Sequence, residues 1–240
     1  MSALGHYIEE EGIATVAIAL IRPQAERTRP PRALWVPFEL GRPFGPPNDP
    51  AFQKRVILAA LNLLDAAAGP VLLADFAEDD PREAPDERWR PPLAWQTGDG
   101  ALADALDAEM QALAAAYARS CTERGRSTVG LSGLAPAAFG EYIGAWLRAR
   151  SSKDAPPSPV PELSPILALR FAVDDLKAYT LEAAIAGGSR PSSRQLGDWL
   201  WTHTAAGAAI RALRQSLLDD ADERAKLIAG MFLVPALRVG

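Results

Sequence analysis

Cysteine is nearly missing from this chain: Cys121 is the only one in 240 residues. A single thiol cannot close a disulfide within the chain or build a cysteine-based zinc cluster. Usage this sparse fits a reducing compartment, so a cytoplasmic location is expected. Histidine is almost as scarce. Only His6 and His203 occur, so no metal centre is expected. No apolar run reaches the roughly 18 residues that would cross a bilayer. The opening stretch Met1–Glu10 shows neither the basic start nor the apolar core of a signal peptide. Cations are outnumbered, with 25 Lys and Arg against 30 Asp and Glu, so nothing invites nucleic acid. The glycine-rich phosphate-binding patterns, the Gly-x-Ser-x-Gly elbow and the His-Glu-x-x-His zinc pattern are also absent. Nucleotide binding and the common hydrolase chemistries therefore find no support, and no cofactor is expected.

What is present is ordinary globular composition, 48% hydrophobic and 23% charged. The length allows one large or two small domains. Ser2–Glu11 has helical spacing at Leu4, Tyr7 and Ile8, with Gly12 as a stop. Ile13–Ile21 lacks polar alternation and reads as a strand buried on both faces. Arg22–Arg32 reads as a polar loop. Ala33–Phe38 reads as a second short strand, which Pro37 confines to an edge or an end. Glu39–Pro50 is a structured loop. Asp49 suits an N-cap and Pro50 a first helical position. The following helix, Ala51–Ala68, places Phe52, Val56, Ala59 and Leu63 on one stripe. Ile57, Leu61 and Leu64 widen that apolar face. Gly69 and Pro70 end it, and Val71–Phe76 reads as a further strand.

Glu78–Pro92 is charged and proline-rich, and 78–100 reads as a linker. Beyond it, Ala101–Cys121, Pro136–Arg150, Leu163–Ala186, Ser192–Leu218 and Ala221–Phe232 read as helices. The only strand signal there is a weak one over Thr128–Leu131. Ser151–Pro161 reads as a second linker. Ser192 with Gln195 matches a capping box. The expected architecture is α/β, a partial parallel sheet of two to three strands over residues 1–77 followed by a mainly helical part over 101–240. So small a parallel sheet is incomplete by itself, and a partner subunit or a homo-oligomer is expected to complete it.

Three stretches taken in order carry a resemblance. They are Tyr7-Ile-Glu-Glu-Glu-Gly-Ile-Ala-Thr-Val, Pro31-Arg-Ala-Leu-Trp-Val-Pro-Phe and Leu40-Gly-Arg-Pro-Phe-Gly-Pro-Pro-Asn-Asp-Pro. Over about residues 4–75 the chain resembles the selenoprotein B-like family of glycine, sarcosine, betaine and D-proline reductases. The resemblance implies reductive cleavage of a C–N bond in a small amino-acid-like substrate, by attack of a selenolate or thiolate that dithiols regenerate. In that family the reactive residue lies on a loop just before the helix that ends in Ile-Glu-Glu. Here that loop would fall upstream of Met1. The expectation divides accordingly. Either the chain is a record cut short, as a selenocysteine codon read as a stop would produce, or it is a non-catalytic subunit or binding protein.

No catalytic residue is assigned. The substrate-binding candidates lie in the loop Gly41–Asp49, which follows a strand in the implied fold. Arg42 could pair with a carboxylate, and Gly45 and Asn48 could bring backbone or amide groups close to it. The other reading of this loop is a well-structured connection ending in an N-cap. Arg22, Arg29 and Arg32 read as a solvated basic loop, with an anion or partner contact as the alternative. Cys121, among arginines at an expected helix end, is either structural or redox-active. His203, on an expected apolar stripe, is either a packed core residue or catalytic. His6 reads as an exposed helix residue, or as a neighbour of the missing reactive group. Trp146, Trp199 and Trp201 read as helix-packing aromatics.

Overall fold

The structure, a computed structural model, describes residues 2–66, 71–93, 101–149 and 151–238. It is α/β in class and divides into two compact units, Met1–Ala84 and Pro85–Gly240.

The first unit holds a three-stranded sheet in the order β1-β2-β3. The strands are β1 (Ala17–Ala19), β2 (Arg32–Trp35) and β3 (Leu72–Asp75). All pairings are parallel, with Ala17 opposite Ala33 and Ala33 opposite Leu73. Pro37 falls just past β2, where its missing N–H costs the ladder nothing. Helix α1 (Ser2–Glu10) leads in and stops at Gly12, whose φ is +82°. The strand expected over Ile13–Ile21 is only half-buried and much shorter, since one edge of β1 has no neighbour among the described residues.

The loop expected over Arg22–Arg32 is corrected: it contains helix α2 (Arg22–Thr28). Pro23 starts this helix, Arg22 bridges Glu26 one turn on, and left-handed Arg29 closes it by donating its N–H to Ala25. Ala25 is its only buried residue. It therefore has no apolar period to betray it.

Helix α3 (Pro50–Leu61) starts as expected, with Asp49 accepting from the Phe52 N–H at 2.9 Å. It is shorter than expected and tightens into a 3-10 turn over Asn62–Asp65. Residues 67–70, with the expected stop at Gly69-Pro70, lie outside the described residues. Phe52, Val56 and Ala60 are buried and pack with Leu34 and Val36 of the sheet region. Phe38, Phe52 and Phe76 meet with ring centroids 5.6–6.0 Å apart. The expected widening of the buried face is corrected, because Ile57 and Leu61 are exposed. Three strands are too narrow to cover a helix that is apolar on more than one side.

The second unit is helical: α4 (Leu102–Arg124), α5 (Phe139–Arg148), α6 (Pro165–Ala184), α7 (Ser193–His203), α8 (Ala205–Leu218) and α9 (Glu223–Ile228). One core joins them, with Leu106, Phe139, Ile143, Leu169, Leu176 and Ile210 fully buried. The single helix expected over Ser192–Leu218 is corrected to two. Thr204 is extended, at φ −129° and ψ 148°, and its hydroxyl caps α8 by accepting from Gly207. A Cβ on Gly207 would collide with the Leu200 carbonyl, so the sharp corner needs glycine there. The break also corrects His203, which ends α7 exposed and not in the core. The Ser192–Gln195 capping box is present. Trp146, Trp199 and Trp201 are buried helix-packing residues. Part of the segment read as linker is packed: Trp89 donates to the Ala184 carbonyl, and Gln195 exchanges two hydrogen bonds with Asp86.

The weak strand at Thr128–Leu131 is corrected to a loop whose N–H groups go to carboxylates on α6. Asp175 accepts from the N–H groups of Gly130, Leu131 and Ser132 and from the Ser132 hydroxyl, at 2.6–3.0 Å. Glu182 accepts from Thr128 N–H and from the Ser127 and Thr128 hydroxyls, each at 2.8 Å, with Arg124 at 3.4 Å. Burial pushes both carboxyls up, but these donors outweigh it and hold both below the ordinary carboxylate range. Their contribution to stability is therefore complete above that range and is lost as pH falls through it. Replacing Asp175 by Ala would leave the buried Ser132 N–H and two part-buried N–H groups without their acceptor, and Asp175→Ala should cost about 2–4 kcal/mol at neutral pH. Urea unfolding should show it. The deficit relative to wild type should shrink as pH falls below the carboxylate range, and a deficit independent of pH would refute the assignment.

Candidate functional site

Open parallel sheets bind ligands beyond the carboxyl ends of their strands. Three features of this unit bear on that expectation. The first is an ion-pair bridge. Arg22, just after β1, pairs with Asp75 at the end of β3 and with Glu26 at 2.9 Å. Its guanidinium lies over the Trp35 ring, 5.3 Å from the centroid. The hydrogen bond that Arg22 donates to Asp75 is the main reason that the Arg22 pKa is raised. Sequence reading treated Arg22 as part of a solvated loop and missed both Trp35 and Asp75, because the three meet only across the sheet. Arg32 likewise is paired, its Nη1 lying 2.6 Å from Glu9. Glu9 is held below its usual range first by the Thr15 N–H and then by Arg32. Arg29 offers its carbonyl to His6 Nε2 at 2.9 Å, and His6 is exposed as expected.

The second feature is the loop of the predicted binding residues. Gly41, Gly45 and Asn48 all have positive φ, at 91°, 81° and 61°. Gly45 is buried, and a Cβ there would run into the Phe52 ring. Its glycine is thus explained by the aromatic cluster beneath it. Arg42 is half-buried, with Nη1 3.8 Å from Glu83. Asn48 is exposed at the turn before the Asp49 cap. Gln53 and Arg82 hold the loop from outside by donating to the carbonyls of Pro46 and Pro47.

The third feature is a cavity of about 430 Å³ alongside β1. Ala17–Ile21 form one wall, Gln24, Ala25 and Thr28 of α2 another, and Ala3 and Leu40 its ends. Leu40 is the only residue of the loop to line it; Arg42, Gly45 and Asn48 do not. No lining side chain is charged. The cavity offers mainly apolar walls along the edge strand β1, with no charged side chain as counter-ion for a carboxylate or an ammonium group. A smaller cavity of about 170 Å³ continues along the amino end of β1, lined by Leu4, Gly5, Ile8, Thr15, Val16 and Arg32 among others.

Cys121 lies within α4, one turn before its end at Arg124, and is half-buried. No group of three His, Cys, Asp or Glu able to hold a metal ion occurs among the described residues. No helix of the described residues is long and apolar enough to cross a membrane. Comparison with protein-family models, curated proteins and solved structures gave no match.

Two substitutions separate a packing role from a binding role in the loop. Gly45→Ala meets both the Phe52 ring and a positive φ, and should lower stability by about 2–4 kcal/mol in chemical denaturation. Arg42→Ala removes only a long, half-exposed ion pair and should change stability by less than about 0.5 kcal/mol. A loss from Arg42→Ala as large as that from Gly45→Ala would show that the guanidinium holds the loop.

Proposed function

We propose that this chain is a relative of the selenoprotein B-like amino-acid reductases whose α/β unit works only within an assembly. The observation that supports this reading is the cavity between the amino end of α1, β1 and Leu40. It lies where the resemblance implies that the reactive loop would enter, just before the helix that ends in Ile8-Glu9-Glu10. The first unit itself contains no cysteine. The attacking selenolate or thiolate would therefore be supplied from outside it. The chemistry would be two-electron reduction of an amino-acid-like substrate. The nucleophile displaces nitrogen from the α-carbon, and a dithiol restores it. Arg42, Gly45 and Asn48, which do not line the cavity, would contact the substrate, and the uncharged cavity would receive protein main chain in preference to substrate. The assembly would work in the cytoplasm, without metal or nucleotide.

A second reading is favoured by the absence of a thiol in this unit and by the pairing of Arg22, Arg32 and Arg42 with carboxylates. In it the chain is a non-catalytic subunit or binding protein. The protein isolated from its native host, with whatever co-purifies, distinguishes the two. Dithiol-dependent C–N cleavage of glycine, sarcosine, betaine or D-proline, together with stoichiometric selenium or a reactive thiol in the preparation, is the expected result. A preparation with neither activity nor selenium, in which no thiol reacts beyond Cys121, would leave only the binding reading.

A further inference from the structure

The helical unit has a cavity of its own, of about 380 Å³, between α4, the end of α6 and the segment that carries Trp89. Ala115 and Ala116 of α4 and Ala183 and Ala184 of α6 give it methyl walls. Arg90 and Arg119 are the only charged residues among its described lining. Each guanidinium is held by one edge. Arg119 donates from Nε to Glu123 at 2.7 Å, and Glu123 also accepts from the Gly187 N–H at 2.9 Å. A Cβ on Gly187 would stand 3.2 Å from Arg119 Nη2, so this glycine, at φ +81°, lets the guanidinium lie against the backbone. Arg90 donates from Nη1 to the carbonyls of Glu87 and Trp89, at 2.8 and 2.9 Å. The segment around it is tied on both sides. Trp89 donates to the Ala184 carbonyl, and the Leu93 carbonyl accepts from Trp199. Among the described residues Arg90 has only carbonyl partners, so no carboxylate balances its charge.

We propose that this cavity binds a small organic carboxylate with an apolar body, its charge on Arg90 and Arg119 and its body against the alanines. Both guanidinium groups keep N–H donors that meet no partner among the described residues. Such a planar fork suits a carboxylate, and fixing one edge in advance lowers the cost of ordering it. The alanines leave room and supply no donor. The Ser189 hydroxyl is already turned to the Ala186 carbonyl, at 3.3 Å. A bare phosphate would therefore face methyl groups on its far side, whereas an apolar body fills that space. A concave, mainly apolar wall with a few convergent polar groups is the usual make-up of a small-molecule site. The site lies outside residues 4–75, so it stands or falls independently of the reductase reading.

Titration calorimetry of the full chain with phenylacetate tests this. Saturable binding with a Kd below about 1 mM is expected. Phenylacetamide lacks the charge and inorganic phosphate lacks the body, and each should bind at least about tenfold more weakly. Arg90→Ala and Arg119→Ala should each weaken phenylacetate by at least about fivefold. Ala115→Phe, at an exposed position, should fill the cavity and abolish binding. Arg224→Ala, on the exposed side of α9, should leave binding unchanged. A wild-type Kd above about 1 mM would overturn the proposal. So would phenylacetamide or phosphate binding as tightly as phenylacetate, a comparison that needs no variant. Binding that survives both Arg90→Ala and Arg119→Ala would place the ligand elsewhere and overturn it too.

Discussion

Every backbone N–H and C=O taken from water needs a partner, and the two units of this chain meet that demand differently. In the helical unit the partners are carboxylates carried on helix faces. Asp175 and Glu182, seven positions apart on α6, receive N–H groups of the Thr128–Ser132 loop, that of Ser132 fully buried. Glu109 of α4 does the same for the first turn of α8, accepting from Ala205 and Ala206. There burial outweighs the two N–H donors, and the Glu109 carboxyl is pushed up, opposite in direction to Asp175. Asp175 sets three N–H groups and a hydroxyl against burial, whereas Glu109 sets only two N–H groups against it.

In the α/β unit the demand is met on one side only. β2 lies between two neighbours and is the best buried strand, with Ala33 and Leu34 almost inaccessible. β1 has β2 on one side and, among the described residues, no strand on the other. The same shortage leaves Ile57 and Leu61 of α3 facing outward. Exposed apolar side chains, empty grooves and an open strand edge are thus three consequences of one narrow sheet. Charge around it is arranged to tie ends together: Arg22 joins β1 to β3, Arg32 joins β2 to α1, and Arg55 joins α3 to Glu78 with two hydrogen bonds. Two of these pairs take up Arg22 and Arg32, cations that sequence inspection would offer to an anionic ligand.

The proposed relation to amino-acid reductases rests on motif order over residues 4–75. The open edge of the sheet is a separate observation that rests on packing.

Sequence alone determined the elements whose signals are local. The Asp49-Pro50 start of α3, the Gly12 stop, the Ser192–Gln195 capping box and the long apolar helices α4 and α6 were legible because each depends on a few neighbouring residues. The α/β class was legible because short β-branched runs and long Ala/Leu-rich runs differ in period. Only tertiary structure decided the rest. Helix α2 has one buried residue and hence no period. The corner at Thr204 exists because Gly207 lets two helices approach, and it turns His203 out of the core. The loop at Thr128–Leu131 has strand-like residues but gives its N–H groups to side chains over forty positions away. Arg22, Trp35 and Asp75 converge only when three strands align. Local hydrogen bonds and hydrophobic period are written in neighbouring residues, whereas the partners of a buried charge and the width of a sheet are properties of the folded chain.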